Sequence, residues 1–284
     1  MHPLIYPAAY ALFVWWFSTG IVLLLDNLPR RTFRWSLTVG TVLFGVSLYR
    51  LGAGSADTSE AGVYAAFTYA IIAWAWQEMS FFMGAVTGPR RIGAAPDAPL
   101  GERFRQGFAA SLWHELAIVS TACVIVWSTW GAENQVGTWT FMLLWLMRTS
   151  AKLNVVLGVL NLGEEFLPAH LRYLLTFMAR RPMNLLMPLS LSAGTIGAML
   201  LGQAAVGAAS TPAAAGLTFL AAMLALAVIE HWFLILPLPF ARLWAWSLRF
   251  KPGRPVRTRA GNDKAVDRAA HVGRASHGLP ALLP

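Results

Sequence analysis

Charge is scarce in this chain. Of its 284 residues only 12% are Asp, Glu, Lys or Arg, where a soluble domain carries about a quarter. That shortage excludes an ordinary water-soluble globular fold, and 57% of the residues are hydrophobic. Cysteine is nearly absent. Cys123 stands alone in "LAIVSTACVIVWSTW", so an intrachain disulfide and a CxxC metal site are excluded, and the residue reads as small apolar packing. The first apolar run, "LIYPAAYALFVWWFSTGIVLLL", lacks a positive n-region and is too long for a signal-peptide core, so it reads as a retained span. Nucleic-acid motifs are missing too. The net charge of +9 is spread over short connections between apolar runs, which points to membrane topology and to no nucleic-acid partner.

What the chain does have is a series of apolar runs of roughly 20 residues, the length that crosses a bilayer. They predict an all-α integral membrane protein, a seven-transmembrane-helix bundle with spans near 4–25, 35–51, 62–86, 106–130, 137–158, 184–207 and 214–238. The basic residues alternate. Arg30, Arg31 and Arg34 follow the first span, Arg90, Arg91, Arg103 and Arg105 the third, Arg172, Arg180 and Arg181 the fifth, and nine more the seventh, while the alternate connections hold only Arg50. By the positive-inside rule the N-terminus is outside and the C-terminus cytoplasmic, in agreement with an odd number of spans.

The connection "NLGEEFLPAHLRYLLTFMARRPMN" is too polar to span. Leu167, Leu171, Leu174, Leu175 and Met178 fall on one helical face, and Pro168 suits a first turn. An interfacial amphipathic helix over about 165–181 is therefore expected between spans five and six, with a connecting helix packed on the bundle as the other reading. Span six carries Ser190, Gly194, Ala198 and Gly202, a small residue at every fourth position that permits close helix packing. Residues 251–284 are basic, rich in Gly, Pro and Ala, and lack apolar periodicity; they read as a disordered cytoplasmic tail.

Ionisable groups inside spans are costly, so each marks a candidate functional residue. Glu78 lies in span three, His114 and Glu115 in span four, Arg148, Lys152 and Asn154 in span five, and Glu230 and His231 in span seven. At about 1.5 Å per residue, the ionisable ones lie roughly 9 to 15 Å below the cytoplasmic face. Four spans thus contribute to one polar layer, a binding or docking element whose charges nearly cancel. Arg148 and Lys152 share a helix face by their i, i+4 spacing. That face is expected to point inward at Glu78, Glu115 or Glu230.

Familiar metal motifs fail here. The Glu-x-x-His of di-iron bundles is absent, since Phe81, Ile118 and Phe233 follow Glu78, Glu115 and Glu230 by three. His114 and Glu115 begin like HExxH, but position 118 is Ile. Span seven has no lysine for a retinal Schiff base. A neutral histidine, His114 or His231, can ligate the magnesium of a chlorophyll-type pigment; packing and hydrogen bonding inside the bundle is the other use of such a residue. An ion-pair layer that only sets helix register would give the same pattern.

The stretches "WQEMSFFMGAVTGPRR", "WHELAI", "RTSAKLNVVLGVLNLGEEFLPAHLRYL", "RRPMN" and "EHWFLILPLPFARLW" together resemble the PuhE-type photosynthetic complex assembly proteins of purple and related phototrophic bacteria. The likeness runs from the third span to the end of the seventh. It implies a multi-pass protein of the bacterial inner (intracytoplasmic) membrane that serves assembly of the reaction centre and core light-harvesting complex. Reaction-centre or core antenna subunits and other assembly factors would be its partners, and bacteriochlorophyll supply its point of action. Bacteriochlorophyll is accordingly the cofactor to expect if one is held. No catalytic residues come with the resemblance. A membrane-embedded, metal-dependent enzyme of pigment metabolism that uses the Glu/His layer is the alternative function.

Overall fold

In the computed structural model, residues 2–250 are described; the expected C-terminal tail lies outside the described residues. Among these residues there are seven α-helices of 21 or more residues and no β-strand. They are α1 (His2–Asp26), α2 (Phe33–Ala53), α3 (Glu60–Phe82), α4 (Leu100–Ser128), α5 (Val136–Leu157), α6 (Leu186–Val206) and α7 (Thr211–Ile235), followed by a single turn, α8 (Ala245–Leu248). Five of the seven, α1, α2, α4, α6 and α7, are long and apolar enough to cross a membrane.

Local chemistry sets the ends. Ser59 caps α3 by accepting from the Gly62 amide at 3.1 Å, as a serine N-cap should, and Ser210 does the same for α7 ahead of Pro212. Helix α3 stops at Phe82 rather than near 86, because the chain turns at Gly84 with φ +79°, a conformation that favours glycine. Helix α4 starts at Leu100, earlier than its apolar run. Its polar first turns close on themselves, Arg105 pairing with Glu102 at 2.7 Å.

Helices α3 and α7 are the inner elements, with the most buried residues. One core joins α1, α3 and α7 through Ala11, Phe67, Phe219 and Met223, and another joins α2, α3, α4 and α5 through Leu51, Ala70, Ile118 and Phe141. Only 11% and 17% of the apolar stretches of α2 and α6 are buried, against 50% for α7, so α2 and α6 are the outer helices. Helix α6 lies close against α7: a Cβ on Gly194 would come within 2.7 Å of Val228, and one on Gly197 within 2.9 Å of Leu224. The small-residue row thus serves packing within the chain at Gly194, while nothing lies within 4 Å of a Cβ on Gly202. Cys123 is exposed on α4 beside Val119 and Val124, so it does not fill a core.

The segment between α5 and α6 departs from expectation. It is a nine-residue 3-10 helix, Ala169–Phe177, and not an α-helix over 165–181. The reason is in its buried set: Leu171, Leu174 and Phe177 recur every third residue, the period of a 3-10 helix. They pack with Leu167 on Phe81 and Ala110, so this segment docks on the ends of α3 and α4. Its return is held to the chain just after α5 by one parallel bridge, Val159 with Arg180. Asn184 secures the junction of α5 and α6. Its Nδ2 donates to the Asn154 and Gly158 carbonyls at 3.1 and 2.9 Å, and its Oδ1 accepts from the Leu186 and Met187 amides.

Candidate functional site

Helix α5 carries the cations. One turn apart on one face, Arg148 reaches α3 and Lys152 reaches α4. Arg148 Nε donates to Glu78 Oε1 at 3.0 Å, and Lys152 Nζ is ion-paired with Glu115 Oε1. Two cations and two carboxylates therefore close a neutral seam across three helices, the condition under which charge is tolerated away from water.

Glu230 takes a different partner from the one expected. Its Oε1 accepts from Trp15 Nε1 at 3.0 Å, which ties α7 to α1.

Asn154 and His231 belong to a second polar chain. His231 Nδ1 lies 2.8 Å from the Ala227 carbonyl, which can only accept, so this nitrogen carries the proton. Nε2 lies 3.0 Å from Ser150 Oγ, whose single proton also faces Ser190 Oγ at 2.9 Å. Asn154 Nδ2 donates to Ser190 Oγ at 3.1 Å and to the Ser150 carbonyl at 3.0 Å, and Ser190 Oγ donates to the Leu186 carbonyl. Both nitrogens of His231 are thus engaged, and the residue is buried. It ties α5, α6 and α7 together, and Ser150 Oγ stands where a magnesium would have to approach Nε2.

His114 is the opposite case. It is wholly buried, neither ring nitrogen has a partner, and Phe81 lies over the imidazole with ring centroids 4.6 Å apart. A buried polar group left unpaired costs about 1–3 kcal/mol. Among the described residues no three His, Cys, Asp or Glu side chains converge as metal ligands, so the metal-dependent reading finds no ligand set there.

Beside the seam lies a cavity of about 420 Å³, within the usual range for small-molecule sites. Glu115, Arg148 and Lys152 are its charged groups, and Phe81, Phe108, Phe166, Leu174 and Phe177 are among its apolar walls. It is built by the end of α3, by α4 and α5, by the connection after α5 with its docked 3-10 segment, and by Leu234 of α7. Arg148 offers five N–H donors in all, of which Nε is on Glu78. The site can therefore receive an amphiphile, its apolar body against the aromatic walls and its polar group against the seam.

Two polar residues of this region are not singled out by sequence. Gln77 is fully buried and donates to Thr121 Oγ1 at 2.8 Å, linking α3 to α4. Asp26, at the end of α1, is buried with neither carboxylate oxygen partnered. Asp26 ends the run "GIVLLLD" and so looks like the polar limit of a span.

With no strand among the described residues, several apolar helices of membrane-spanning length and a charged seam opening on an apolar cavity, the chain has an architecture compatible with a multi-pass membrane protein. By sequence it belongs to the family described as "Protein of unknown function (DUF3623)", whose model matches residues 1–254. It is 37% identical over 245 residues, 85% of this chain and 89% of the relative, to the "Uncharacterized 30.4 kDa protein in puhA 5'region" of Rhodobacter capsulatus. No solved structure matches it.

Proposed function

We propose that the chain is a PuhE-type assembly factor for the photosynthetic reaction centre and its core light-harvesting complex, and that the cavity beside the seam holds an amphiphilic cargo of the pigment class. The relative's position in the 5' region of puhA, a photosynthesis gene, is the observation that carries this reading. The cavity supports it from chemistry, since aromatic walls and a polar floor suit the polar edge of an apolar ring system, and at about 420 Å³ it would receive part of such a molecule. The charged floor gives orientation, because Arg148 and Lys152 remain only 31% and 26% exposed after pairing. Bacteriochlorophyll is the cargo the reading names, and reaction-centre or antenna subunits are the recipients. His114 lies behind Phe81 of the cavity wall and is itself fully buried, so Phe81 would have to swing aside for it to meet a bound magnesium.

In this reading all seven long helices cross the inner membrane. Helices α3 and α5 cross despite their charges because the seam neutralises them inside the bundle. The N-terminus is outside and the C-terminus cytoplasmic, supported by the arginines after α1, α3 and α5. Trp127, Trp130 and Trp139 are 81%, 81% and 60% exposed at the opposite ends of α4 and α5, as an interfacial aromatic belt requires. The 3-10 segment then lies at the cytoplasmic interface.

The test is complementation. A Rhodobacter capsulatus strain lacking the relative is given this chain, and membrane absorption of reaction centre and core antenna is recorded. Recovery is expected with the native chain. It is also expected to fail with Leu153→Trp, which fills the cavity, at equal protein level. Normal complexes in the deletion strain would overturn the proposal.

A further inference from the structure

A second, smaller cavity of about 320 Å³ lies where three connections meet. Arg30 comes from the turn between α1 and α2, Gly84, Thr87 and Arg91 from the loop between α3 and α4, and His170 and Tyr173 from the 3-10 segment. Its charge is of one sign. Two of the nine lining residues are arginines and none is Asp or Glu, so the cavity concentrates positive potential with nothing inside to balance it.

Its buried polar atoms are also unmet. Thr87 is 3% exposed, yet its Oγ1 has no hydrogen-bond partner. His170 Nε2 is buried and unpartnered as well. Buried hydroxyl and ring nitrogen atoms in native proteins have partners as a rule, and an exception calls for an unseen one. Space is kept open in front of His170: a Cβ on Gly84 would sit 3.1 Å from Nε2, and Gly84 has φ +79°, which favours glycine. Backbone conformation and clearance thus agree on a residue without a side chain there.

We propose that this cavity binds a phosphate-type anion. Two guanidinium groups supply planar, charge-assisted donors suited to phosphate oxygens. The Thr87 hydroxyl adds a donor, and His170 Nε2 accepts from a P–OH or, when protonated, donates to P–O⁻. The anion is either the phosphodiester of an anionic lipid, since basic pockets at the ends of membrane helices take such headgroups, or free inorganic phosphate. This site is separate from the cargo cavity in its residues and does not rest on the assembly reading.

The full chain, purified in detergent, is titrated with inorganic phosphate against chloride of equal ionic strength, following its thermal midpoint. In a second arm it is placed in nanodiscs of phosphatidylglycerol or phosphatidylcholine, and lipid retained on extraction is counted by native mass spectrometry. A saturable rise of midpoint with phosphate identifies the free anion; preferential retention of phosphatidylglycerol identifies the lipid. Arg30→Gln with Arg91→Gln is expected to abolish either signal, each arginine contributing about tenfold in affinity. Thr87→Val is expected to weaken it severalfold, while Arg34→Gln, whose guanidinium sits over Trp35 at 5.2 Å, leaves it unchanged. No signal in either arm, or a signal that survives the double substitution, overturns the proposal.

Discussion

Arg148 on α5 and Glu78 on α3 meet at 3.0 Å with side chains 31% and 16% exposed. Cutting the guanidinium back to a methyl leaves a mostly buried carboxylate alone. Breaking a buried pair on one side costs about 3–5 kcal/mol, and the residual exposure of this one puts Arg148→Ala at about 2–4 kcal/mol. The thermal midpoint and membrane level of the variant report the loss. Replacing both partners, Glu78→Leu with Arg148→Met, is expected to recover most of it. If the double variant accumulates normally but does not restore photosynthetic complexes, the pair acts in function and not only in register.

Much of this seam is legible in the sequence, for a physical reason. A charge within an apolar run is visible in one dimension, and counting residues from a span's end gives its depth, so Glu78, Glu115, Arg148 and Lys152 are expected at one level before any helix is placed. Pairing within the level is not legible. Trp15, which holds Glu230, is one of 13 tryptophans and sits in a wholly apolar run. The cavity is invisible for another reason: its wall is made when Leu171, Leu174 and Phe177 dock on α3 and α4. Their spacing is read as α-helical until the partner surface is known, because Leu167, Leu171 and Leu174 fit a 3.6-residue period almost as well as a shorter one.

Close packing of α6 on α7 makes opposite predictions for two glycines in one row. Gly194→Ala places a methyl 2.7 Å from Val228 Cγ2 and is expected to cost about 1–3 kcal/mol through overpacking, with partial relief from Val228→Ala. Gly202→Ala meets nothing within 4 Å and is expected to be neutral or slightly stabilising, since alanine favours the helix by up to about 1 kcal/mol. Thermal midpoints in detergent check both. Equal effects at the two sites would mean that α6 packs on another face.

His231 and His114 separate the structural from the pigment-related use of histidine. With both nitrogens of His231 within hydrogen-bond distance of a partner, His231→Phe is expected to lower stability by about 1 kcal/mol, since the ring's bonds are lost while the Ser150 hydroxyl keeps Ser190 Oγ at 2.9 Å as acceptor. It is expected to leave the absorption spectrum of any co-purified pigment unshifted. His114→Phe removes two unpartnered buried nitrogens, so the apo protein should be no less stable. A spectral shift or loss of pigment in His114→Phe alone would identify the ligand, and a shift in His231→Phe would contradict the hydrogen-bond assignment.

His170 gives a pH dependence whose sign is set. Burial first and the Arg30 charge second hold its imidazole below the ordinary value of 6.5, opposed by a hydrogen bond with the Phe82 backbone. Arg91 and Tyr173 are the other charged or titratable groups lining the same cavity. With the folded pKa below the unfolded one, the unfolded chain takes up the proton first as pH falls, so the folded state loses stability from about 6.5 downward until the folded pKa is reached. His170→Gln should flatten that slope in unfolding midpoints between pH 7 and pH 5 at fixed ionic strength. A phosphate-type anion in the cavity stabilises the imidazolium and raises the folded pKa, so bound anion should shrink the slope in the native chain and leave His170→Gln unaffected. A slope that does not respond to anion would detach His170 from the site while leaving its burial penalty in place.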